Sequence, residues 1–454
     1  MKARIFILGA ASAVALVVAL AQTEVIPTAS PAPTAAATRE SRTTSVTTPT
    51  SDAEINAAGQ PLTPMRPEPD TGTMMEPEVQ AAEQEALGPE EAVATTVDEM
   101  GRKRWRIIPL FSAGVAYDDN IFYSNSDRVA DVIWTVSAGL IFELGDFRDH
   151  KENYFSVQWI GQPVIYTENS EQNGFNQFAA LGFQYRFNKL VMKLDSSYST
   201  VKGPNRDVNT ITTTQTLLNS LAFGYNYSDK TDFNLAFTQY AYFTENFQNT
   251  SQYKVSTGLN YQIFPKTRVG FQGVAGVIVS TNTPLQYLQQ ALMQVSYSAT
   301  EKLSFMLSGG VQFLEFEGSD IIKIDPVFSL GVYYQPFHAT SLSLVGFRNV
   351  VGSSSLAEQD YFATGIELRA QQQFFQKFVA AVSLGYENDS YFGTTPDTPS
   401  NRVDDYVFAR SRLTYAFVDW FSASVFYEYR QTASTQESSS FYNNRVGMEI
   451  QTRF

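Results

Sequence analysis

The chain has 454 residues, no cysteine, two histidines and a formal net charge of −14. The missing thiols exclude disulfides, thiolate metal sites and cysteine nucleophiles together, and His150 and His338, each read as a turn residue, are too few for a histidine-rich metal cage. The acidity argues against the basic surface that a nucleic-acid partner requires.

The N-terminus, MKARIFILGAASAVALVVALA, sets Lys2 and Arg4 before an apolar run and ends on an Ala19-Leu20-Ala21 cleavage pattern. Residues 1–21 therefore read as a secretory signal peptide, the run being too short for a transmembrane helix of about 20 apolar residues. Residues 22–104 follow, rich in Pro, Thr, Ala and Glu, with ten of the nineteen prolines and almost no aromatics. Such a composition cannot bury enough apolar surface to offset chain entropy, so a disordered periplasmic segment is expected, with a short acidic helix over 78–100 as an option. Residues 22–100 hold 14 acids against three arginines, a net charge of −11, so most of the chain's acidity lies here.

From residue 105 to 454 the side chains alternate with a period of two, in runs of about 10 to 14 residues. The segments are 106–118, 132–144, 153–166, 175–187, 190–200, 214–227, 232–243, 252–264, 268–279, 286–298, 303–315, 322–334, 341–350, 360–374, 377–388, 403–417, 420–430 and 442–454. In the last, Val446, Met448, Ile450 and Phe454 share one face while Arg445, Glu449, Gln451 and Arg453 share the other. Connections alternate between tight ones, such as NK at 188–189, PKT at 265–267 and TEK at 300–302, and longer polar ones, such as TVKGPNRDVNT and SYFGTTPDTPSNR. An even number of long strands, aromatic residues at strand ends and alternating short and long connections predict a transmembrane antiparallel outer-membrane β-barrel of about 18 strands. A soluble sandwich or propeller would need a packed core where this chain keeps Gly, Ser, Asn, Gln and charges.

The segment GVAYDDNIFYSNSDRVADVIWTVSAGLIFELGD, with the late RSRLTYAFVDWFSASVFYEYRQT and a Phe-terminated last strand, resembles the putative β-barrel porin 2 family over residues 106–454. Tyr117-Asp118-Asp119-Asn120-Ile121-Phe122 is its most specific part. The resemblance implies an outer-membrane barrel of a kind often linked with exopolysaccharide secretion. Gly447 and Phe454 are similar to the C-terminal signal read by the barrel assembly machinery, with Thr452 standing where an apolar residue is usual. Localisation in the outer membrane of a Gram-negative bacterium follows. The expected partners are lipid and lipopolysaccharide, the assembly machinery and periplasmic polysaccharide-export components.

Counting strand positions turns inward-facing charges into a map. Arg410, Glu428 and Arg445 fall at one mid-height level, with Glu367, Arg369, Arg412, Arg430 and Glu449 within a few residues of it. These eight are lumen and selectivity candidates, either bracing a watery pore or forming an eyelet whose guanidinium groups guide a polar or anionic solute. No G-x-S-x-G, H-E-x-x-H or Walker loop is present, so no enzymatic activity and no cofactor are expected. Asp118, Asp119 and Asn120 are weak metal candidates, because clustered hard oxygens suit a cation such as calcium. GYENDSYF at 385–392 repeats their order, and both stretches read as strand-to-loop junctions at the cell surface, where Asx residues open turns.

The function expected is a channel, foremost a conduit for a secreted polysaccharide or other hydrophilic solute. The alternatives are a general or sugar-selective diffusion porin and a plugged structural or receptor barrel.

Overall fold

The computed structural model describes residues 105–145, 153–281, 283–318, 322–353, 359–393 and 401–453. The expected signal peptide, the acidic segment, His150 and Phe454 lie outside these residues. The strands are β1 Trp105–Asp118, β2 Asp131–Gly145, β3 Tyr154–Tyr166, β4 Gly174–Phe187, β5 Leu190–Asn205, β6 Thr210–Ser228, β7 Thr231–Thr244, β8 Asn249–Phe264 and β9 Thr267–Ser280. They continue with β10 Gln286–Thr300, β11 Leu303–Phe316, β12 Ile322–Phe337, β13 Thr340–Gly352, β14 Gln359–Phe374, β15 Phe378–Gly393, β16 Val403–Val418, β17 Phe421–Ser434 and β18 Phe441–Arg453. Each pairs antiparallel with its sequence neighbours, and β18 pairs with β1, so the 18-stranded sheet is a closed barrel.

Closure explains the alternation. Where both neighbours pair, backbone N–H and C=O groups are satisfied by the adjoining strands, leaving side chains to sort by face. In β1 the outward residues Trp105, Ile107, Phe111 and Tyr117 are exposed, whereas Ile108, Leu110, Ala116 and Asp118 turn inward and are buried. Exposed aromatics gather at both ends of the outer surface: Phe187, Phe264, Phe337 and Trp420 near the short turns, and Tyr117, Tyr386 and Tyr442 toward the long connections. These are the two girdles of a membrane barrel, at the heights where amphipathic rings meet headgroups.

Several strands run past their expected ends on the long-connection side. β5 and β6 continue to Asn205 and from Thr210, so the polar stretch read as a long loop is mostly ladder around a turn at 206–209. β15 reaches Gly393 and contains Glu387, Asn388 and Asp389, which corrects the reading of 385–392 as a strand-to-loop junction. Backbone pairing requires no apolar alternation, so Ser, Thr and Asn carry these ladders beyond the band where the pattern is visible.

At that end the sheet also splits. β12 and β13 pair only from Phe328↔Arg348 toward the short turns, leaving 322–327 bonded to β11 alone and 349–352 to β14 alone. Freed from β12, the ends of β13, β14 and β15 tuck into the barrel as a tongue. Their outward face changes environment along its length: Ile366 and Leu368 are 47% and 43% exposed, but Phe362 and Phe392, on the same face, are 7% and 8% exposed. There Val350, Phe362 and Phe392 pack against Ile278, Leu288, Leu314 and Phe316 of the inner face of β9–β11. Gln286 donates to Asp360 at 2.8 Å, and the Lys323 ammonium sits 3.5 Å from the Phe392 ring centroid.

Gly447 has a packing role apart from any assembly signal. A Cβ there would lie 2.5 Å from Phe426 Cζ and 2.7 Å from the Val115 carbonyl oxygen, whereas one at Gly273 would meet nothing within 4 Å. Gly447→Val should therefore destabilise the barrel by about 1–3 kcal/mol, the usual cost of overpacking, and Gly273→Ala should not. Thermal unfolding followed by the heat-dependent mobility shift in detergent gels measures both.

Candidate functional site: the lumen wall and its cap

Antiparallel register converts the sequence of β14–β18 into rows of inward side chains. One row runs Arg369↔Ser383↔Arg410↔Glu428↔Arg445↔Asp118 across β14, β15, β16, β17, β18 and β1. Glu367, Arg412, Arg430 and Glu449 flank it on the same inner faces. The structure thus brings all eight lumen candidates onto one wall, with Arg410, Glu428 and Arg445 on a single register row.

Their pairing is uneven. Arg369 grips Glu367 with two hydrogen bonds of 2.8 Å, and Ser383 donates to the same carboxylate. Arg430 donates to Glu428 at 2.7 Å, and Arg412 to Glu449 at 3.2 Å. Arg410 lies over the Phe408 ring, 4.6 Å from its centroid. Arg445 makes no ion pair within 4 Å with any described residue, and its Nε is buried without a hydrogen-bond partner. Five arginines face three glutamates and Asp118 here, so this level of the wall carries an excess of one positive charge. Arg369, Ser383, Arg410, Arg412, Phe426 and Glu428 together line a recess in it.

Toward the long connections the lumen is crossed by a cap. It begins with the tongue, whose inner face presents Tyr361, Glu387, Asp389 and Tyr391. The β5–β6 turn reaches across to this face. Arg206 forms ion pairs with Glu387 and, at 2.9 Å, with Asp389, and it stacks 4.5 Å above the Tyr406 ring. Burial opposes the charge on Arg206, and the carboxylates of Glu387 and Asp389 outweigh it, holding its pKa above the ordinary value. Asp207 accepts from Tyr391 Oη at 2.8 Å and Ser353 Oγ at 3.1 Å. Val208 is fully buried, and Asn209 donates to the Ser438 carbonyl at 2.7 Å.

The remainder of the cap is the first long connection, 119–130, and here the Asp118-Asp119-Asn120 stretch finds its role. Asp118 accepts from Asn443 Nδ2 at 2.5 Å and from the Asn120 backbone N–H at 3.0 Å. Asp119 accepts from Asn444 N and Nδ2 at 2.7 and 2.9 Å and from Arg128 at 3.2 Å. Asn120 donates to the carbonyls of Tyr442 and Ser124, both at 2.9 Å, and accepts from the Ser124 N–H. These side chains latch the connection onto β18, and their oxygens are occupied by protein donors; no group of three or more metal-binding side chains occurs among the described residues. The latch drives Ile121 against Ile133, Val164, Tyr166 and Ile211. It also lays Tyr123 on Phe441, with centroids 4.4 Å apart and planes at 4°, where Arg430 donates to its hydroxyl at 2.9 Å. Arg430 therefore joins the wall to the cap.

Sequence reasoning placed the wall because parity along a strand fixes facing direction. It missed Arg206, Asp207, Tyr123 and Glu387, whose roles depend on contacts across the lumen. The internal echo at 385–392 was the available signal, because an Asx motif continued as strand puts its acids on the inner face.

The C-terminal residues 325–454, which include the tongue and the charged wall, match the family described as Putative beta-barrel porin 2. The stretch Tyr117–Phe122, on which the resemblance leaned most, lies outside the matched residues. Among solved structures the chain is similar to OccAB4 of Acinetobacter baumannii, at 10% identity over 77% of this chain and 98% of that one, TM-score 0.41. It is also similar to OccAB3 of the same organism, at 9% identity over 77% and 99%, TM-score 0.42, and to OpdK of Pseudomonas aeruginosa with vanillate, at 10% identity over 77% and 99%, TM-score 0.40. No curated protein matches the chain. The resemblance to β-barrel porin 2 thus holds over residues 325–454, and the fold is a closed antiparallel β-barrel of 18 strands.

Asn120→Ala removes three hydrogen bonds from the latch, each worth about 0.5–1.5 kcal/mol. Trypsin should then cut at Arg128 several-fold faster than in the wild type, with the barrel fragment still folded by gel mobility.

Proposed function

We propose that the barrel is a capped passage for a hydrophilic solute bearing negative charge, foremost a secreted polysaccharide. The observation that carries this reading is the mid-height wall of β14–β18, where five arginines outnumber three glutamates and Asp118, and Arg445 has no ion-pair partner within 4 Å among the described residues. Planar guanidinium groups bind carboxylate and phosphate in a fixed fork, and a ring of them sets which ions enter a pore. The half-buried ring of Phe426 in the recess offers apolar surface to a sugar face. The cap supports transport under control, since the β5–β6 turn meets the tongue through polar contacts, Arg206 with Glu387 and Asp389 and Asp207 with Tyr391 and Ser353. The exopolysaccharide link implied by the family resemblance favours a polymer as the cargo.

The runner-up is a diffusion porin for small sugars or anions, favoured by the recess at Arg369, Arg410 and Glu428, which is compact enough to sort small solutes. Planar-bilayer recording separates the two. Arg410→Ala with Arg445→Ala should lower the anion-to-cation permeability ratio several-fold, and unchanged ion preference would leave the wall as bracing alone. Arg206→Ala, which unties the β5–β6 turn, should raise conductance. In that variant a conduit is expected to give blocking events that lengthen with the chain length of added oligouronates, whereas a diffusion porin should pass only the shortest.

A further inference from the structure

We propose that the acidic N-terminal segment, residues 22–104, docks on a ring of lysines at the short-turn rim of the barrel. Seven short turns are described in full, at 188–189, 229–230, 265–266, 301–302, 338–339, 375–377 and 419–420. Five of them end on lysine: Lys189, Lys230, Lys266, Lys302 and Lys377. All five are exposed. The other two turns end on Ala339 and Trp420.

The ring is ordered by the barrel itself. Lys189 donates to the Tyr227 carbonyl at 2.9 Å, Lys266 to Ala299 at 2.8 Å, Lys302 to Pro336 at 2.6 Å and Lys377 to Phe417 at 3.2 Å. In each case the acceptor lies at the foot of a neighbouring hairpin, so the side chain runs along the rim. An ammonium has three donors, which leaves two on each to face outward from the barrel end. Asp229, Glu301 and Asp419 share these turns, and five lysines outnumber them.

The occupant is argued from charge and from chain entry. Residues 22–100 carry a net charge of −11, and between Glu76 and Glu99 there are eight carboxylates and no base. The chain enters β1 at Trp105, on the same rim as the lysines. At roughly 3.3 Å per extended residue, residues 76–104 span up to about 95 Å. Eighteen strands about 4.8 Å apart and tilted near 40° give a circumference of roughly 110 Å. The acidic stretch therefore reaches most of the ring without leaving the rim. Docked there, it places a band of carboxylates around the short-turn mouth of the passage. This inference rests on the rim alone and stands or falls independently of the solute.

Zero-length carbodiimide coupling of the full chain in neutral detergent, read by peptide mass spectrometry, tests it. The expected result is isopeptide bonds joining carboxylates of residues 76–99 to Lys189, Lys230, Lys266, Lys302 or Lys377. Their yield should fall more than about fivefold at 1 M salt, where the screening length shrinks to about 3 Å. It should fall as far when the five lysines are changed to Gln in a barrel that keeps its heat-dependent gel mobility. Absence of these adducts, while an added small amine is captured by the same carboxylates, overturns the proposal. So does their loss in vesicles containing anionic lipid but not in neutral ones, which would assign the rim to lipid phosphate.

Discussion

Inside a hydrocarbon layer a backbone N–H or C=O without a partner costs several kcal/mol, and a closed antiparallel sheet is the way a chain of strands avoids that cost. Closure of β18 onto β1 is therefore the constraint from which the rest of the molecule follows. It fixes which residues meet lipid and which meet the lumen, and it converts spacing along the chain into rows around a wall. Arg410, Glu428 and Arg445 are far apart in sequence terms yet consecutive in one such row.

The split between β12 and β13 tests this logic. A ladder torn within the membrane would be untenable, but it opens only where the strands extend toward the long connections. There the exposed apolar face of β13–β15 exchanges lipid for the inner face of β9–β11, so Val350, Phe362 and Phe392 remain buried without a bilayer. The tongue's other face is then free to hold Glu387, Asp389 and Tyr391 inside the lumen, where Arg206 and Asp207 meet them. An apolar interface thus carries the weight of the cap, and a polar one holds the β5–β6 turn against it.

What the sequence revealed and what it concealed divide along the same line. Strand number, strand direction and the inward facing of Glu367, Arg369, Arg412 and Arg430 depend only on a period of two and on connection length, which one chain displays directly. The tongue was illegible because Phe362 and Phe392 continue an outward apolar pattern that reads as lipid contact. Asn205 to Asn209 read as loop because their partners, Glu387, Asp389 and Ser438, are more than 170 residues away. Asp118 to Asn120 stand out in the sequence without declaring a role, since a latch and a cation site use the same oxygens.

Wall and cap share residues, and that sharing bears on how a solute would be sensed. Arg430 holds Glu428 with one nitrogen and the buried Tyr123 hydroxyl with another. Glu428 in turn stands in register between Arg410 and Arg445. An anion drawn to Arg445 would compete with Glu428 for the positive charge around it, and any shift of Glu428 changes what Arg430 offers to Tyr123. The first long connection rests on Phe441 through Tyr123. Charge at mid-height and the first long connection are therefore joined through one arginine, so a solute that engaged the wall as proposed would act on the cap without touching it.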